Sequence, residues 1–131
     1  MSATGDSLDG ELKKSSGENG LTLMEDAKSK GLQVELIRQL NKDFSMSGLD
    51  VLIDEQAEPS EVVDHLKTHL EVLIRDDFQG FLNLLYRVDV PQSKMHQTPG
   101  SHFSQYIEKA TYELLKREWQ KVWIRKSLDQ K

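Results

Sequence analysis

The sequence predicts an all-α fold, a single small domain of four or five helices in an orthogonal or bundle-like array behind a flexible N-terminal tail. Three observations predict it. Leu32, Leu36, Leu40 and Phe44 recur every four residues, the spacing that puts side chains on one face of a helix. Ten apolar residues from Val63 to Val88 stay within one broad face at 100° per residue. From Ser101 onward the chain reads as one long helix. With 131 residues, there is room for one core and one domain.

Residues 1–20 hold four of the eight glycines and little apolar material, so burial cannot offset the entropy of ordering them. They are expected to form a disordered tail, leaving 21–131 as the domain. Thr22 and Glu25 have capping-box spacing for a short helix that stops at Gly31. A clearer helix spans roughly 32–44 and ends at Ser47-Gly48. Leu49, Val51, Leu52 and Ile53 follow, too short a run to separate a strand from an apolar turn. The acidic stretch around Pro59 lacks the alternating ligands and central glycine of a calcium loop, so it is read as solvated charge.

Ser60 is the expected N-cap of the next helix, with Glu61 suiting its dipole. A carboxylate at Asp77, near the middle of the apolar face, is costly to bury unpaired, and Gly80 weakens the helix beside it. A break at Asp76–Gly80 is therefore expected, with Asp76 or Asp77 capping a second segment that stops before Pro91. Residues 91–100 form a polar linker and Ser101 caps the last helix. In that helix Phe103, Tyr106, Ile107, Ala110 and Leu114 make one stripe, while Leu115, Trp119, Val122 and Trp123 make another, rotated from the first. The first half is thus expected to pack on the core and the second on something else.

Cysteine is absent, which removes disulfides, thiolate metal sites and thiol nucleophiles. No apolar stretch reaches the roughly 20 residues of a bilayer span, and the N-terminus lacks the form of a secretion signal, so a cytoplasmic location is expected. Net charge is −2 over residues 1–31, −7 over 32–90 and +4 over 91–131, summing to −5. That asymmetry can steer an anionic partner to the C-terminal part, or the two regions can neutralise each other by packing; internal neutralisation is the favoured reading.

The sequence carries no GxGxxG, no Walker-type loop and no GxSxG elbow. No cofactor is expected. His65 and His69 have the i,i+4 spacing that can grip a metal, yet the segment between them supplies no glutamate, and ordinary surface histidines are the favoured reading. Asp76 and Asp77, as neighbours on a helix, point about 100° apart and cannot converge on one substrate atom. Arg87 beside Tyr86 can bind an anion, though pairing with Asp89 or with helix-terminal carbonyls explains it better.

The most informative segment is the end of the last helix, where Lys116, Arg117, Lys121, Arg125 and Lys126 surround Trp119 and Trp123. This is material for stacking on bases, sitting at a lipid headgroup layer, or docking a protein. Against all three stands simple packing of the aromatics on another helix, with the basic stems snorkelling into water. The expected function is a non-catalytic adaptor or self-associating module, including a homodimer, using Trp119, Trp123, Arg117, Lys121, Arg125 and Lys126. Single-stranded nucleic-acid binding by the same residues is the alternative, and a His65/His69 metalloenzyme a remote third. The segments Asn41-Lys42-Asp43-Phe44, Asp77-Phe78 leading to Leu84-Leu85-Tyr86-Arg87-Val88-Asp89-Val90, and Arg117-Glu118-Trp119-Gln120-Lys121 occur in an order that resembles a group of short uncharacterised bacterial proteins over residues 32–126. The resemblance implies an all-helical single domain with no assigned activity.

Overall fold

The computed structural model describes residues 19–95 and 102–129. Among them are five α-helices and no strand: α1 (Gly20–Ser29), α2 (Gln33–Met46), α3 (Pro59–Asp76), α4 (Phe78–Val88) and α5 (Phe103–Asp129), with a 3-10 turn at Gln92–Met95. The all-α expectation holds. Most of the expected tail, residues 1–18, and the expected Ser101 cap lie outside the described residues.

Helix starts follow local capping chemistry, though not always at the expected residue. In α1 the cap is Asn19 rather than Thr22, its side chain accepting the Thr22 N–H at 3.1 Å. Gly20 is buried against α5, and a Cβ there would sit 2.8 Å from Leu115 Cδ1. For α3 the cap is Glu58 rather than Ser60. Pro59 occupies the first helical position, where its missing N–H costs nothing, and Glu61 reaches back to accept the Glu58 N–H at 2.8 Å.

Three helices end in the same way. Gly31 (φ +71°) and Gly48 (φ +80°) take the left-handed conformation after α1 and α2, and Asp89 (φ +76°) takes it after α4. Each is followed by a residue whose N–H returns five positions: Leu32 to Ala27 at 2.8 Å, Leu49 to Phe44 at 2.9 Å, and Val90 to Leu85 at 2.8 Å. These are Schellman closures, and each brings the returning apolar residue back onto its own helix. The expected break between α3 and α4 is present. Asp77 leaves helical geometry and its side chain accepts the Gly80 N–H at 3.0 Å. A side chain at position 80 would collide with that carboxylate, so the glycine belongs to the cap.

The stretch from Leu49 to Glu58 is irregular backbone. Ile53 is buried within it, and its backbone groups are satisfied by one side chain: Asn41 Nδ2 donates to the Ile53 carbonyl at 2.9 Å while Asn41 Oδ1 accepts its N–H at 2.8 Å. The amide of α2 thus does for this residue what a neighbouring strand would have done. The acidic stretch is solvated, as expected, and engaged at the surface: Glu55 with Arg38 at 2.9 Å and Glu58 with Lys28 at 2.9 Å.

The core lies among all five helices. Met24 of α1, Leu36 and Leu40 of α2, Leu66 and Leu70 of α3, Phe81 and Leu84 of α4, and Leu114 and Leu115 of α5 are all buried within it. Helix α5 packs on each of the other four, so its setting decides the arrangement.

Removing the Asn41 amide leaves a buried N–H and C=O unsatisfied, a cost of about 1–3 kcal/mol. Asn41→Ala should lower the urea midpoint accordingly and should abolish hydrogen-exchange protection at the Ile53 amide.

Candidate interaction site on the last helix

The buried face of α5 runs through Ile107, Ala110, Leu114, Leu115, Glu118 and Val122. A glutamate sits inside an apolar stripe, and it is fully buried. Opposite it on α2 lies Asp43, 4% exposed. Asp43 Oδ2 accepts from Lys121 Nζ at 3.0 Å and from Gln39 Nε2 at 3.1 Å. Gln39 Oε1 in turn accepts from Arg125 Nη1 at 3.0 Å. The two helices are stitched by a polar row in which Lys121 and Arg125 of α5 meet the hydrogen-bonded pair Asp43 and Gln39 of α2.

Burial pushes the Glu118 carboxyl up to about 9, with the neighbouring Asp43 carboxylate adding to the effect and Lys121 opposing it. Glu118 is therefore protonated at neutral pH. As a carboxylate it would share one ammonium with Asp43, Lys121 Nζ lying 3.2 Å from Glu118 Oε1 and 3.0 Å from Asp43 Oδ2, and two buried negative charges would face a single positive one. The proton removes the conflict because it lets Glu118 donate to Asp43. Burial raises the Asp43 carboxyl, but hydrogen bonds from Glu118, Gln39 and Lys121 outweigh it and hold the group below its ordinary value. The pair carries one negative charge, and Lys121 balances it.

The sequence-selected cations are separated by this packing. Lys121 and Arg125 face α2. Arg117 Nη2 lies 3.2 Å from Asp89 Oδ2, across to the end of α4. Lys116 sits over the ring of Tyr112, 5.7 Å from its centroid. Lys126 is exposed and forms no ion pair among the described residues. Trp119 is half-buried against the core and Trp123 is 46% exposed, with ring centroids 5.7 Å apart. The two tryptophans thus touch each other but meet different surroundings.

Beyond Val122 every described residue of α5 is exposed. That stretch of seven residues is about 10 Å long. Trp123, Ile124 (54% exposed) and Leu128 (61%) lie along it, Trp123 turned away from the buried stripe in one sense and Ile124 and Leu128 in the other. The second stripe expected for α5 does not pack elsewhere: Leu115 and Val122 are buried in the same core as the first stripe and Trp119 packs against it, and of the four only Trp123 faces solvent.

The other candidates stand apart. His65 and His69 are exposed with ring centroids 6.1 Å apart, and no group of three or more metal-ligating side chains comes together among the described residues. Tyr86 is 89% exposed. Arg87 lies in the last turn of α4, but Asp89 pairs with Arg117 instead. Asp77 is spent on its cap and Asp76 lies 3.5 Å from Arg75.

Gln39, Asp43 and Glu118 did not stand out as site residues in the sequence. The signal was there: Glu118 falls one helical turn after Leu114 and one before Val122, and Asp43 falls two turns after Leu36.

Fold and site together define a small all-α domain with a polar lock between two helices and an apolar face left outside it. No protein-family model, no curated protein and no solved structure matches the chain. No helix among the described residues is long and apolar enough to cross a membrane.

Because Glu118 has an ordinary value of 4.5 and is raised to about 9 here, the folded state holds a proton that the unfolded state releases between those values. Its contribution to stability is complete below 4.5 and is lost as pH rises toward 9, at up to ~1.4 kcal/mol per pH unit. Chemical denaturation between pH 5 and 9 should show that decline, and Glu118→Gln, which keeps a neutral donor, should flatten it and be the more stable protein at pH 9.

Proposed function

We propose that this protein is a non-catalytic helical interaction module that docks another protein through the outward apolar face of α5. One observation carries the reading: Ile124 and Leu128, one helical turn apart and both exposed, form an apolar strip on the part of α5 that lies beyond the core, with Trp123 exposed about 100° around the helix from Ile124. Scattered apolar side chains on a surface are ordinary, whereas a contiguous strip flanked by charge is the form of a docking surface. Helical anchors of this kind engage grooves on a partner by side chains three and four residues apart. Trp119, half-buried against the core, supports the exposed ring of Trp123.

A protein partner suits the site better than single-stranded nucleic acid. Binding a phosphate backbone draws on free cations, and Lys121, Arg125 and Arg117 are turned onto Asp43, Gln39 and Asp89. Catalysis finds no support either, since the perturbed carboxyl, Glu118, is fully buried and cannot meet a substrate.

A photo-crosslinking residue placed at position 124 in cells should give adducts of discrete mass, while the same residue at the exposed position 109 should not. Absence of adducts at 124 would remove the reading. A salt-sensitive change in tryptophan emission on titration with a single-stranded oligonucleotide would transfer the site to nucleic acid.

A further inference from the structure

A second apolar surface lies outside α5. The end of α2, the irregular segment after it, and the C-terminal half of α3 enclose a groove of about 330 Å³. Val51, Val72 and Leu73 help to line its apolar part, and three carboxylates border it: Asp50, Asp76, which lies 3.5 Å from Arg75, and Asp77, which also caps α4. Val72 is 46% exposed, so this is an open surface rather than a core void. Helix α5 contributes no residue to it.

The groove and the projecting turns of α5 are complementary. One offers an apolar floor with an acidic rim; the other offers Ile124 and Leu128 one turn apart, with Trp123 and the exposed Lys126 on the same two turns. A continuous helix fixed to the core through Lys121 and Val122 cannot turn its last residues back into its own groove. We infer that the occupant of the groove is the α5 end of a second copy of this chain, an inference that rests on the docking role proposed above and names the partner. Opposed charges then select the pairing and orient it. A single contact made by two helical turns is small, in the range below ~1,200 Å² that gives weak and transient association. Two copies that exchange their helix ends make the contact twice and close as a symmetric pair.

The interface joins two different patches, and that makes it testable by complementation. Val72→Glu spoils the groove and leaves the helix end intact; the double variant Ile124→Asp, Leu128→Asp does the reverse. All three positions are exposed, and circular dichroism checks that both proteins keep their helices. In sedimentation velocity of the full chain from micromolar to millimolar concentration, the wild-type protein should self-associate, and less so in 0.5 M salt. Each variant alone should associate at least tenfold more weakly. An equimolar mixture should recover association, because the helix end of the first meets the groove of the second.

A wild-type protein that stays monomeric throughout overturns the inference, as does a Val72→Glu protein that associates like the wild type, or a mixture that recovers nothing. The docking role is judged separately by the adducts formed from position 124. Adducts with a different protein, from a chain that stays monomeric, leave that role standing and the self-pairing refuted. Adducts that map to the segment around Val72 support both.

Discussion

The arrangement depends on how α5 is rotated about its own axis, and a buried proton helps to set that rotation. Asp43 and Glu118 face each other between α2 and α5 with Lys121 beside them, in an interior where an unbalanced charge is costly. With Glu118 protonated, one carboxylate faces one ammonium and the cluster is neutral. An apolar cluster of similar volume could be as stable or more so. The polar one adds discrimination, because donors and acceptors match in only one setting of the two helices. In α5, which carries two apolar stripes, that discrimination matters: burying Glu118 and Val122 turns Trp123, Ile124 and Leu128 outward.

Short closures do the rest of the positioning. Gly31 and Gly48 reverse the chain after α1 and α2, and Asp89 does so after α4, each through the same pair of backbone bonds. A non-glycine residue at positive φ is strained, and Asp89 is held there from two sides, by the Val90 N–H returning to Leu85 and by Arg117 on its carboxylate. This ties the end of α4 to α5 and fixes Arg117 in the process. The cation that looks like part of a basic patch is a strut of the fold.

Helices, and the break at Asp77, were legible because their signals are local: periodicity within a dozen residues, a glycine at a stop, a carboxylate three residues before an N–H. Caps moved by two or three residues because several candidates stood close together, and Glu58 with Pro59 made a better start for α3 than Ser60. The segment around Ile53 could not be resolved from its own residues, since its partner is a side chain twelve positions away in α2. The α5 site was legible as a location and not as an arrangement. Sequence displays charges without partners, and the partner of Lys121 is Asp43, 78 residues distant. Glu118 could have been found by treating a charged residue inside an apolar stripe as the informative one, as was done for Asp77.

The charge asymmetry along the chain takes on a physical meaning once those pairs are placed. Part of the positive C-terminal region is consumed by the acidic middle, through Lys121 with Asp43, Arg117 with Asp89 and Lys67 with Glu108, the last joining α3 to α5 in the opposite sense. Asp50 remains at the groove, beside Asp76 with its Arg75 neighbour and the capping Asp77, and Lys126 remains exposed near the end of α5. Folding uses the apolar residues of α5 as far as Val122, and nothing in the core requires a tryptophan, an isoleucine and a leucine beyond it. Their exposure is what the docking role proposed above rests on. Substitutions there should therefore separate from those in the core, leaving the stability of the fold intact where core substitutions lower it.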